Sequence, residues 1–244
     1  MIGTIGRVTL QALLARRRAL LMLLLAAVPV LIALLSRLRG SSGDAIGQTA
    51  DALEPMAIGM LLPLTALVFG TAALGAEIED GSAIHLLTKP IARWRIVTGK
   101  LIAAVPVVAV LIGASTLLTG VLIGGERGAM GVTLAFVAGV VVGSVLYVTL
   151  FVALSILSSR ALIIGLIYVA VWEGTLAGLF EGTRVFSVRQ YVISIVAQLD
   201  PSDRVRSATT LDWTTAVLGA VVVFVVAFGV AVWALRRYQI AAGD

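Results

Sequence analysis

Residues 75–100 read GAEIEDGSAIHLLTKPIARWRIVTGK, and the apolar runs on either side make this stretch the pivot of the chain. It holds three acids (Glu77, Glu79, Asp80), four bases (Lys89, Arg93, Arg95, Lys100) and the single histidine, His85. Over the whole chain, 13% of residues are charged, 60% are hydrophobic and the mean hydropathy is +1.09. A soluble domain carries about 25% charged residues. The composition therefore specifies an integral membrane protein, and a charged island between two apolar runs lies outside the membrane, where a partner can meet it.

Working outward, six apolar runs are expected to span: 19–36, 56–74, 101–123, 131–157, 161–180 and 214–235. Each is near the ~20 residues that a helix needs to cross a hydrocarbon core, and Pro29 and Pro63 are tolerable inside such helices. Residues 1–18 form a basic lead with Arg7, Gln11 and Arg18 on one helical side, which reads as an interfacial helix. Residues 37–54, rich in Gly, Ser and Asp, read as a loop. In the external segment 181–213, Val188, Tyr191, Val192, Ile195 and Leu199 recur at helical spacing until Asp200-Pro201 stops them. This is an amphipathic helix lying on the outer leaflet or re-entering it, or equally a surface helix packed on its own bundle. The expected fold is all-α, a single polytopic membrane domain over 1–244, with small residues such as Gly139, Gly143 and Ser144 allowing close helix approach and an oligomer.

Six spans put both ends on one side. Placing the N-terminus in the cytoplasm puts eleven of the 18 Lys and Arg residues inside. The remaining bases lie among acids or in a long loop that weighs little on orientation, so N-in, C-in is expected. The formal net charge of +5 is then an orientation signal rather than a sign of nucleic-acid binding, for which no basic patch with interleaved aromatics is present.

The island has a shape. Ile84 and Leu87 are three apart; Lys89 is pushed from the α region by Pro90, which suits the first turn of a new helix. Beyond it Ile91, Trp94 and Leu101 share a face opposite Arg93 and Lys100. The segment is a proline-broken elbow running into the third span. Its bases alone suit anionic lipid, whereas the three acids at its start favour docking on a protein, and both readings stand.

The motif Glu77-Ile78-Glu79-Asp80-Gly81-Ser82, followed by Leu86-Leu87-Thr88-Lys89-Pro90-Ile91, Arg93 and Gly99-Lys100-Leu101, resembles the cytoplasmic segment between the second and third spans of ABC-2-type permease subunits of ATP-binding-cassette transporters. The six-span layout, the basic lead, Tyr168 to Gly174 and Ser187 to Tyr191 add to the likeness. The resemblance implies a pair of permeases with a pair of ATP-binding subunits, and a coupling helix that enters a cleft of the ATPase. Carried onto this chain, 77–100 is that coupling elbow: Gly81, Ser82, His85, Leu86, Leu87, Lys89 and Pro90 form its docking segment. Arg93 and Lys100 are its basic flank, and Glu77 and Glu79 the acids at its entrance. The pair of bases around Trp94 has no counterpart in the family pattern.

The chain has no Gly-x-x-x-x-Gly-Lys-Ser/Thr loop, so ATP and magnesium are expected on the partner, with no cofactor bound here. It has no cysteine, and His85 has no second histidine with which to bind a metal. The lone histidine also leaves no catalytic triad; the chain is not expected to be an enzyme. An ionisable residue in a span is costly, which marks Glu173, with Trp172 and Tyr191, as a candidate substrate path or gate. The other reading ends the helix near Trp172 and leaves Glu173 at the headgroups. Together these readings describe a permease that exports an amphipathic drug, lipid or peptide from a prokaryotic plasma membrane. The alternative is a non-transporting scaffold or assembly factor that recruits a soluble partner.

Overall fold

A computed structural model of the chain describes residues 17–39, 43–79, 92–125, 128–176, 181–200, 205 and 211–241. Among these, every regular element is a helix. In chain order they are α1 (Arg17–Leu38), α2 (Ala45–Leu53), the π-helical stretch π1 (Glu54–Leu61) and α3 (Leu62–Glu79). There follow α4 (Arg93–Gly124), α5 (Met130–Leu157), α6 (Ala161–Ile167) and a second π-helical stretch, π2 (Tyr168–Leu176). A 3₁₀ turn (Glu181–Phe186), α7 (Val188–Leu199) and α8 (Trp213–Ala241) complete the chain.

The hub is α5, which packs against α3, α4, α7 and α8. Small residues set those approaches. A Cβ on Gly120 of α4 would lie 2.3 Å from the Thr133 hydroxyl, and one on Gly70 of α3 would lie 3.0 Å from the Phe151 Cβ. With no hydrophobic drive between helices in lipid, such close contact supplies the packing attraction that association requires. Several buried hydroxyls bond within their own helix: Thr71, Thr116, Ser144 and Thr149 each donate to a carbonyl four residues back. Ser115 of α4 instead donates to the Ala26 carbonyl of α1 at 2.5 Å, tying the first helix to the core.

Among the described residues, five helical stretches are long and apolar enough to cross a membrane: Leu20–Leu38, Ala45–Gly75, Arg93–Gly124, Met130–Leu157 and Trp213–Arg237. Two expectations are to be set against their boundaries. The presumed loop 37–54 is largely helical from Ala45, because the Asp44 side chain accepts the Ile46 N–H at 3.1 Å and caps α2. The helix then continues without a break through π1 into α3. Pro55 stands at the start of π1; its ring has no N–H and crowds the carbonyl of the preceding turn, and the chain widens there instead of breaking.

The second concerns the described part of the expected span 161–180: the apolar helix Ala161–Thr175 covers roughly 22 Å at 1.5 Å per residue, and residues 177–180 lie outside the described residues. Residues 1–16 of the expected interfacial helix 1–18, and the core of the elbow, 80–91, lie outside the described residues; Arg17 and Arg18 open α1.

Candidate functional site

The helix expected in the external segment forms as α7 and is folded into the bundle. Its residues Val188, Tyr191, Val192, Ile193, Val196 and Ala197 are buried. A Cβ on Gly139 of α5 would sit 2.4 Å from Val196, and one on Gly143 would sit 3.0 Å from Val192. Gly219 of α8 lies against the Tyr191 ring in the same manner. The amphipathic spacing is therefore answered by protein on several sides.

Position along α5 gives the arrangement its meaning. Gly165 of α6 meets α5 at Phe151, and α7 meets it further toward Met130, at Gly143 and Gly139. Because Val192 pairs with Gly143 and Val196 with Gly139, the first turn of α7 is the deeper one. From Ala161 to Glu173 the chain climbs roughly 18 Å, and α7 adds a similar length. Two short helical stretches thus follow one another along α5, with a helix N-terminus in the bundle interior.

Glu173 occupies that junction. It is 2% exposed, and its carboxylate accepts four hydrogen bonds. The Tyr168 hydroxyl donates to Oε1 at 2.8 Å and the Val188 N–H to the same oxygen at 3.0 Å. The Ser187 hydroxyl donates to Oε2 at 2.5 Å and the Arg189 N–H to it at 3.4 Å. Ser187 Oγ in turn accepts the Gln190 N–H at 3.3 Å, the ordinary N-cap bond of α7. Burying a carboxylate costs several kcal/mol; charge-assisted bonds and the positive end of the helix dipole offset that cost.

The surroundings reinforce the junction. Tyr147 stacks on Phe151 with centroids 6.1 Å apart, and Phe151 meets Tyr168 edge-on at 6.3 Å, so an aromatic column leads to the carboxylate. Tyr191 donates its hydroxyl to the Val185 carbonyl, and the Trp172 indole N–H donates to the Phe186 carbonyl at 3.4 Å. Arg189 reaches the other way, to Glu54 of π1, with N···O 3.2 Å. The two π-helical stretches are thereby joined through the start of α7.

Of the expected gate residues, Glu173, Trp172 and Tyr191 are brought together at this junction. Helical structure continues to Leu176, so Glu173 lies within the helix and not at its frayed end. Ser187, Arg189, Glu54 and Tyr168 complete the constellation without having been singled out for it. The serine carried a usable signal, since Ser187 followed three residues later by Gln190 is a capping-box spacing.

The elbow is described only at its margins. Glu77 and Glu79 lie in the last turn of α3, whereas Gly81, Ser82, His85, Leu86, Leu87, Lys89 and Pro90 lie outside the described residues. Arg93 opens α4, with Trp94 exposed and the Arg95 guanidinium 5.3 Å from its ring centroid. Lys100 is 1% exposed and belongs to the packed interior of α4. Among the described residues no three His, Cys, Asp or Glu side chains come together in a way that could hold a metal ion.

A multi-pass, all-helical membrane protein with a half-helix folded back into its bundle is the class that this geometry defines. The chain belongs to the family of ABC-2 family transporter proteins, whose profile matches residues 9–239. Comparison with curated proteins gives no match. Membership supports a permease role in an ATP-binding-cassette transport system, in which such a chain works with an ATP-binding subunit.

Proposed function

We propose that this chain is the membrane permease of an ATP-driven exporter, energised by a separate ATP-binding subunit that docks on the 77–100 elbow. The family match over 9–239 carries the reading. The continuous helices on either side of the elbow support it further. A push delivered between Glu79 and Arg93 would be passed along α3 and α4, both of which pack on the hub α5. Two permeases, each with an ATPase, would form the working unit, N-in and C-in in a prokaryotic plasma membrane, with ATP and magnesium held by the partner.

A path between two such chains, lined by the second and fifth crossings, would suit an amphipathic drug, lipid or peptide. The burial of Glu173 supports a positioning role in this scheme: it fixes α7, the piece of the fifth crossing nearest the outer face, while Trp172 and Tyr191 brace the turn before it. Closure of the ATPases would then change the relation between π1 and α7, two elements joined by Glu54 and Arg189.

Co-purification tests the docking. A tagged chain expressed with a candidate ATP-binding subunit should retain that subunit after detergent extraction, and Leu86→Asp should release it. Retention unchanged by Leu86→Asp would remove the elbow from the docking surface.

A further inference from the structure

Helices α4, α5 and α8 leave an open groove of about 490 Å³ between them. Thr98, Ile102 and Val105 of α4 line it, with Thr149 of α5 and Phe224 and Phe228 of α8. The two phenylalanine rings stack at 6.0 Å to form one wall. No charged group enters the lining, and the Thr149 hydroxyl donates to the Val145 carbonyl at 2.6 Å. A polar solute would therefore find little to bond.

The mouth of this groove is different. Arg95, Thr98, Ile102 and Val105 follow one another at intervals of three, four and three residues, which places them on one face of α4. Arg95 stands about 10 Å above Ile102 along the axis. It is exposed, and so is Trp94 beneath its guanidinium, in the belt position that tryptophan favours at a membrane surface. Arg236 and Arg237, also exposed, close α8 at the same end. The combination is an uncharged apolar trough, topped by a cation at headgroup level.

We infer that this groove is a binding site for an anionic phospholipid, with one acyl chain lying between α4, α5 and α8 and the phosphate held by Arg95. The lipid is a resident of the permease and not its cargo, since the groove lies apart from the Glu173 junction. The site gives a role to Trp94 and Arg95, at the start of α4, that the docking elbow does not require.

Native mass spectrometry of the full-length chain in detergent, given equal amounts of dioleoyl phosphatidylglycerol and dioleoyl phosphatidylcholine, tests the site. The first lipid bound should be phosphatidylglycerol, preferred about fivefold, the ratio equivalent to the ~1 kcal/mol that one basic residue provides at an anionic surface. Arg95→Gln, a change at an exposed position, should bring the two lipids to parity, and Arg95→Lys should keep most of the preference. Val105→Trp, which fills the trough and leaves the cation in place, should also abolish the preferred binding. Equal retention of the two lipids by the unmodified chain overturns the proposal. So does a preference that survives Arg95→Gln, or one that survives Val105→Trp.

Discussion

The backbone N–H of Val188 donates to Glu173 Oε1 across 3.0 Å, although fifteen positions separate the two residues in sequence. That one bond joins the end of one half-helix to the beginning of the next. Its acceptor is held by three further donors, so the charge is fully used. Replacing the acid by its amide keeps the size and puts an NH₂ where an acceptor stood, facing the Ser187 hydroxyl or a backbone N–H. Glu173→Gln should lower stability by about 1.5–3 kcal/mol, the range for hydrogen bonds to charged groups. In a thermal melt of the detergent-purified chain this is a fall of roughly 5 °C or more. An unchanged melting point would mean that Glu173 does not hold α7.

The seat of α7 on α5 is equally testable. A Cβ added at Gly139 would lie 2.4 Å from the Val196 methyl, too close for either helix to stay in place. Gly139→Ala should cost about 1–3 kcal/mol, as overpacking of a close contact does, and adding Val196→Ala should recover part of the loss. If Gly139→Ala alone melts like the unmodified chain, α7 is not packed at this depth.

Glu54 and Arg189, 3.2 Å apart and about one quarter exposed, should behave as a coupled pair. Glu54→Gln and Arg189→Gln should each destabilise, and the double variant should lose less than their sum by roughly 1 kcal/mol. Strict additivity of the three melts would show that the pair contributes nothing to holding π1 against α7.

At the start of α8, Asp212 accepts both the hydroxyl and, at 3.3 Å, the backbone N–H of Thr214. These bonds, the hydroxyl's first, hold its carboxyl below the ordinary aspartate range. A group depressed on folding stabilises above its unfolded pKa, and that contribution is lost as pH falls through the lower, folded value. The melting point should therefore decline on acidification below about pH 4, and more shallowly in Asp212→Asn. Parallel declines for the two proteins would remove Asp212 as a source of the acid response.

The long crossings were legible because hydropathy alone marks them: 101–123 and 131–157 fall inside α4 and α5, and 214–235 inside α8. Where side chains had to choose between water, lipid and protein, apolar runs carried less. Residues 45–53, AIGQTADAL, look like loop by composition, and the Asp44 cap with their packing on α4 and α5 holds them in helix. The run 161–180 reads as one span because hydropathy does not report where a helix hands over to another. The spacing of α7 was visible, but not its seat on Gly139 and Gly143, which depends on residues some fifty positions away. Glu173 drew notice as an isolated cost in an apolar run. Its partners were hidden because three of its four donors lie at least fourteen residues ahead, across a turn.

The π-helical stretch at Glu54–Leu61 also fixes how the chain tolerates changes of length. In an α-helix each residue turns the backbone by about 100°, and a widened turn accommodates a residue that regular winding has no room for. Deleting one residue between 54 and 61 would tighten the turn and leave the path of the helix continuous. Because the widened turn takes up that residue, α2, with the buried Thr49 and Leu53, would keep the same face toward α4. The second crossing thus carries slack for one residue at this point. A point substitution there tests a contact, whereas a single-codon deletion would leave both ends of the helix aimed as before.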